Sequence, residues 1–152
     1  MIPSDAQLSL LYPRLRRFAA VVADLDMDPD DIVQDVFTSL FSRPRQLSNP
    51  EAYLRSAVVR RVIYLRRAAA RRPRANGRHV ESTAPDEPGA EIELFDLLSA
   101  LGPLDRALVL LVDVDGTPAS IAATDLGISH VAARARLSRA RARLRKHLGT
   151  EA

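Results

Sequence analysis

From Arg134 to Lys146 the chain carries seven positive charges and no acid, directly behind a Gly-Ile-Ser turn at residues 127–129. Guanidinium forks bind phosphate oxygens and guanine edges in pairs of hydrogen bonds, so the chemistry on offer is the grip of a polyanion. A short helix, a glycine turn and a longer basic helix make the helix-turn-helix pattern, whose second helix lies in the major groove with its first residues nearest the bases. Those residues are His130, Val131, Ala133 and Arg134, behind Ser129 as the cap; Arg136 and Arg139 follow on the same helix. A second basic set lies upstream, where residues 55–80 hold nine arginines and no acid. Arg55, Arg60, Arg61, Arg66, Arg67, Arg71 and Arg72 belong to it. A third set is acidic and amide: Asp30, Asp31, Gln34 and Asp35. The carboxylates at 30 and 31 suit the positive end of a helix dipole. Gln34 and Asp35 lie too far along for that explanation.

Segregation of charge matters more than its net value of +3. The two arginine blocks alternate with two acidic stretches, as expected of a chain that touches a polyanion at two places. Arginines without acidic neighbours in sequence are expected to take phosphates as counterions. With no cysteine, disulfides, thiolate nucleophiles and thiolate metal sites are excluded. His79, His130 and His147 are scattered, with neither metal-ligand spacing nor a Ser-His-acid arrangement. No cofactor and no catalysis are expected. No apolar run approaches the ~20 residues of a membrane span, and the first residues lack the order of a signal peptide. A cytoplasmic protein with no membrane insertion is therefore expected.

The elements that must position these sets read as helices throughout. Leu8, Leu11, Leu15, Phe18 and Val22 form one stripe of a helix over about 4–23, which Pro13 should kink or split. Asp28 as cap and Pro29 at the first position open a second helix, with Ile32, Val33, Val36, Phe37, Leu40 and Phe41 buried and Gln34, Asp35 and Thr38 outside. Ser48 or Asn49 caps a third, which runs into the Arg-Ala repeats near residue 71. Residues 73–89 lose all apolar period and read as a linker. Beyond it come an amphipathic helix at 92–101, another that ends at Gly116, and a third with Thr117 as cap and Pro118 at the first position. Gly127 then supplies the turn and Ser129 caps the last helix, in which Ala133, Leu137, Ala140, Leu144 and Leu148 keep a narrow apolar stripe. The expected fold is all-α: two small helical domains joined by a flexible linker, the second a helix-turn-helix domain.

Three stretches carry a resemblance: "DPDDIVQDVFTSLF", "NPEAYLRSAVVRRVIYLRR", and the region from "LLSALGPLDRALVLL" through "SRARARLRKHL". In order and spacing they resemble an RNA polymerase sigma factor of the extracytoplasmic-function type, over nearly the whole chain. The resemblance implies a sigma region 2-like domain at 1–72, a linker at 73–90 and a sigma region 4-like domain at 91–152. It implies that Asp31, Gln34 and Asp35 dock on a coiled coil of the largest subunit of core RNA polymerase. Asn49, Tyr53, Arg55, Arg60, Arg61, Arg66 and Arg67 would melt and hold promoter DNA at the minus-ten element. Ser129, His130, Val131, Ala133, Arg134, Arg136 and Arg139 would read the minus-thirty-five element, in a domain that also meets the flap of the other large subunit. An anti-sigma factor is the further expected partner.

The chain departs from the family pattern at two places. Arg60 stands where members commonly carry an asparagine associated with strand capture. Asp125 stands at a normally hydrophobic place just before the turn, which implies a rotated first helix or divergent promoter reading. Two alternatives stay open at this point. A sigma-like mimic that sequesters an anti-sigma factor would suit the acidic stretches but not the arginines. A stand-alone helix-turn-helix regulator would leave the motif of Asp31, Gln34 and Asp35 without a job.

Overall fold

The computed structural model describes residues 2–71 and 96–149, so the expected linker at 73–90 lies outside the described residues. Helix α1 spans Asp5–Val22. Ser4 Oγ accepts from the Gln7 N–H and Gln7 Oε1 accepts from the Ser4 N–H, a reciprocal box that satisfies two amides otherwise left open at a helix start. Pro13 lies inside this helix without dividing it, so of the expected kink or split the split does not occur. Its ring removes the bond to the Ser9 carbonyl, and both residues are on the exposed side, where water can serve that oxygen.

Helix α2 spans Pro29–Ser42, and the Asp28 carboxylate accepts from the Asp30 N–H at 2.9 Å. Ile32, Val33, Val36 and Leu40 are buried, while Phe41 stays 53% exposed, so the apolar stripe is narrower than its sequence suggests. Phe41 meets Phe37 edge to face, and Phe37 in turn meets Tyr12. Helix α3 spans Pro50–Arg71, and Asn49 Oδ1 caps it by accepting from the Ala52 N–H at 3.1 Å. These three helices pack on one another through Leu15, Ile32, Leu54, Val58 and Val62.

Helical backbone resumes at residues 96–98, inside the span expected to be helical from 92. Helix α4 spans Pro103–Val109 and widens over Leu110–Val114, where the Asp115 N–H donates to the Leu110 carbonyl at 2.9 Å. Gly116 ends it at a φ of 74°. Helix α5 spans Ala119–Leu126, and its cap is Pro118 rather than Thr117, one residue later than expected. The Thr117 N–H is drawn back to the Leu111 carbonyl at 2.8 Å, which keeps that residue on the preceding turn. Helix α6 spans His130–His147.

No strand occurs among the described residues, and the all-α expectation holds. The two halves, distinct in sequence, are packed together in space. One continuous cluster runs from Val22, Val58 and Val62 to Leu98, Leu101, Leu108 and Ala123. Helix α4 lies against α1 and α3, and α5 lies against α3.

Candidate nucleic-acid interface

The turn between α5 and α6 is built by Gly127, whose φ of 72° is a left-handed conformation that side chains with a Cβ adopt only at a cost. The Ile128 N–H reaches back to the Ala123 carbonyl at 3.0 Å, closing α5, and Ser129 Oγ accepts from the Ala132 N–H at 3.0 Å, opening α6. Ala122, Ala123 and Leu126 on one helix and Ala133, Leu137 and Ala140 on the other are buried, which fixes the angle between them.

This leaves the start of α6 open to solvent. His130 is exposed, with Nε2 at 3.5 Å from Thr124 Oγ1, and Val131 is 80% exposed. Arg134 and Arg139 are exposed and have no ion-pair partner among the described residues. Ala133 points the other way: it is fully buried, so its methyl belongs to the core of the motif. Ser129 serves as the cap. Arg136 is half-buried and donates to Asp105 Oδ1 at 3.0 Å, and Arg141 holds Asp113 through two bonds at 2.7 and 3.2 Å. The Asp113 carboxylate raises the pKa of Arg141 further above its ordinary value. The expectation that these arginines lack acids is corrected for both. Their partners lie on α4 and its wider last turn, about thirty residues away in sequence.

On the other half, Asp31, Gln34 and Asp35 share the exposed face of α2, as their spacing requires. Asp35 Oδ2 accepts from Arg61 Nη2 at 3.0 Å, an exposed pair that ties α2 to α3. Asp30 turns inward instead, accepting from Tyr12 Oη and Arg16 Nε, both at 2.9 Å. Partial burial, then the bond to Asp30, raises the Tyr12 phenol above its ordinary pKa.

Between α2 and α3 lies a cleft of about 410 Å³, lined by Asp35, Tyr53, Arg60 and Arg61 among others. The half-buried Tyr53 ring is flanked by the guanidinium carbons of Arg45 and Arg60 at 5.8 and 5.9 Å from its centre. A half-buried aromatic with two cations near its ring brings together the groups that hold single-stranded nucleic acid, an aromatic surface and phosphate ligands. Arg60 also donates to Ser56 Oγ at 2.8 Å, and Arg61 lies 5.2 Å over Tyr64. Arg67 is exposed. Besides Arg61, paired with Asp35, two further members of the expected track are held by acids. Arg66 Nε is 3.1 Å from Asp24, and Arg55 is held between Glu51 and Asp125 at 3.1 and 3.0 Å. Asn49 caps α3 through its side chain.

The sequence reading missed Arg106, the one buried charged side chain among the described residues. Its signal was present: residues 81–133 contain ten acids and this single cation, set in an apolar run.

Comparison with known proteins adds two findings. Residues 91–144 match the family described as sigma-70, region 4, which takes in α4, the turn and most of α6. A solved structure of similar fold is the sigma factor RpoE in complex with the anti-sigma factor NepR from Bartonella quintana. The similarity covers 97% of each chain with a TM-score of 0.69 at 21% identity. No curated protein sequence matches the chain. The chain therefore shares the fold of that solved sigma factor over nearly its whole length, and its residues 91–144 match the sigma-70 region 4 family.

Proposed function

We propose that this chain is a sigma factor that binds core RNA polymerase, recognises a promoter and opens the duplex there, acting by binding and not by catalysis. The observation that carries the reading is the coincidence of the region 4 match with a well-formed helix-turn-helix whose exposed start presents His130, Val131 and Arg134. In this reading residues 1–72 form the region 2-like part, 73–90 the linker and 91–152 the region 4-like part.

Each part has a job set by its side chains. The exposed α2 face of Asp31, Gln34 and Asp35 is the surface for the polymerase coiled coil, where fixed carboxylates would meet basic groups of the partner. The cleft at Tyr53 takes an unstacked base of the minus-ten element, with Arg45, Arg60, Arg61 and Arg67 beside it for the phosphates. Extruding a base costs on the order of a few kcal/mol, which stacking of ~1–3 kcal/mol and phosphate contacts offset. The start of α6 reads the minus-thirty-five element, and the polymerase flap meets the same domain. The neighbouring solved structure holds its sigma factor with an anti-sigma factor, which supports a partner of that kind here. Coelution of the purified chain with bacterial core polymerase tests the reading. A stable complex at micromolar concentration is expected; separate elution at low salt would count against it.

A further inference from the structure

A cleft of about 560 Å³, larger than the one at Tyr53, is lined by residues of α1, the start of α3 and the end of α4. Leu15, Phe18, Leu110 and Leu111, all buried, supply its apolar floor. Its other lining residues are mostly polar. Arg14 and Arg55 share Glu51, each at 3.1 Å, and Arg55 is also held by Asp125 at 3.0 Å. The Arg14 side chain nonetheless stays 68% exposed, so most of its guanidinium is open to a further acceptor. Arg17, one turn along α1, is exposed and has no ion-pair partner among the described residues.

The α4 side of the cleft adds two further groups, Asp115 and Thr117. The Asp115 N–H is tied back to the Leu110 carbonyl at 2.9 Å and the Thr117 N–H to the Leu111 carbonyl at 2.8 Å, across the widened last turn of the helix. Turns widened in this way are frequent at functional sites. The backbone bonds hold both residues at the cleft, yet neither the Asp115 carboxylate nor the Thr117 hydroxyl has a partner among the described residues. Arg55 Nε is also buried without an acceptor among them. A buried donor left so is uncommon, and an anion in the cleft would offset part of its unmet charge.

Each of these features selects one part of a ligand. Open guanidinium forks take the oxygens of a phosphate. A carboxylate beside a hydroxyl takes the hydroxyls of a sugar, as an acidic side chain does for ribose in nucleotide-binding folds. An apolar floor takes a flat, weakly hydrated ring. Inorganic phosphate would leave that floor uncovered, and the convex backbone of a duplex does not enter a concave site. The volume lies within the roughly 300–1,000 Å³ usual for small-molecule sites.

We propose that this cleft binds a nucleoside phosphate. The phosphate lies on Arg14 and Arg17, the ribose hydroxyls on Asp115 and Thr117, and the base over the leucines and Phe18. Arg55, pinned by two carboxylates, is a fixed charge of the lining and not a ligand that must move. Binding of this kind stabilises the folded chain in proportion to ligand occupancy. The site is separate from the surfaces at Tyr53 and at the start of α6, so it stands whether or not the chain directs transcription.

The test titrates adenosine and guanosine monophosphates, their 2′,3′-dideoxy forms and inorganic phosphate into the full chain by calorimetry, with thermal unfolding in parallel. The parent should bind at least one monophosphate and melt at a higher temperature with it. Arg17→Ala should melt like the parent without ligand and bind about tenfold or more weakly, by loss of a charge-assisted bond. The dideoxy form should bind the parent about three- to tenfold more weakly, and Asp115→Ala should abolish that difference. No binding of either monophosphate at millimolar concentration would overturn the proposal. So would inorganic phosphate binding as tightly as the monophosphates, or equal affinities for the parent and Arg17→Ala, since both mark diffuse attraction to arginine. Polymerase takes no part in the measurement, so failure here strikes this site alone and leaves the sigma-factor reading as it was.

Discussion

Arg106 Nη2 lies 2.7 Å from Asp24 Oδ1, across 82 residues of sequence, and the same guanidinium takes the last carbonyls of α1. Its Nε also donates to the Leu101 carbonyl at 2.8 Å. A cation at the negative end of a helix, with four acceptors around it, compensates the cost of burying its charge. Replacing Arg106 by alanine leaves those acceptors unserved and should lower stability by about 3–5 kcal/mol. Lysine should restore little of it, since a point charge cannot serve acceptors in three directions. Urea unfolding of the three chains checks this; equal midpoints for the parent and the lysine variant would contradict it.

Reversal of charge at Asp31 and Asp35 should weaken core polymerase binding about tenfold or more, by loss of charge complementarity at the interface. The fold should hold. Only Asp35 has an ion pair, and exposed pairs such as Asp35–Arg61 contribute ~0–1 kcal/mol after solvent screening. Melting temperature and polymerase affinity, measured on the same preparation, separate the two effects.

The arginines of α6 should not behave alike. Arg134→Ala should lower affinity for upstream promoter duplex and reduce the slope of log K against log salt by about 1. Arg136→Ala, with its guanidinium turned to Asp105, should leave that slope nearly unchanged. Fluorescence anisotropy titrations from low to moderate salt distinguish them, and equal slopes for both variants would contradict the assignment.

Gly127→Ala should cost about 1–2 kcal/mol, because its φ of 72° is strained for any residue with a Cβ although nothing stands within 4 Å of the added atom. The loss should appear in thermal unfolding. A neutral substitution would mean that the turn relaxes out of the left-handed region.

Tyr12 supplies a pH test. Its phenol is raised above 10.0 by burial and by its bond to Asp30, so the neutral form is favoured by folding. The stability it contributes is full below the unfolded value and is lost as pH rises through the folded one. Tyr12→Phe should therefore remove a component of the phenolate absorbance rise that titrates above that ordinary value, and with it part of the alkaline decline in stability.

What could be read from the chain was local. "DPDD" gives cap, proline and first-turn acids in four consecutive residues, and Asp28 does cap α2. Gly127 followed by Ser129 marks a turn and a cap that need nothing distant, and both formed. The errors have one kind of cause. Phe41 lies beside Leu40 in a broad apolar run and so reads as core, yet a helix buries only the arc that another element covers. Pro13 does not split α1, because a missing amide matters little on a solvent-facing side. Pairs separated by 70 and 82 residues, Arg55–Asp125 and Arg106–Asp24, leave no periodic trace. The same holds for Arg136 and Arg141, whose basic run conceals that two of its members are already neutralised.

The most direct measurement is run-off transcription with core polymerase and a library of genomic fragments, with the purified chain as the only specificity subunit. Discrete start points that depend on the chain, and that vanish when Asp31 and Asp35 are reversed, are predicted. Only background initiation, identical with and without the chain, would contradict the account.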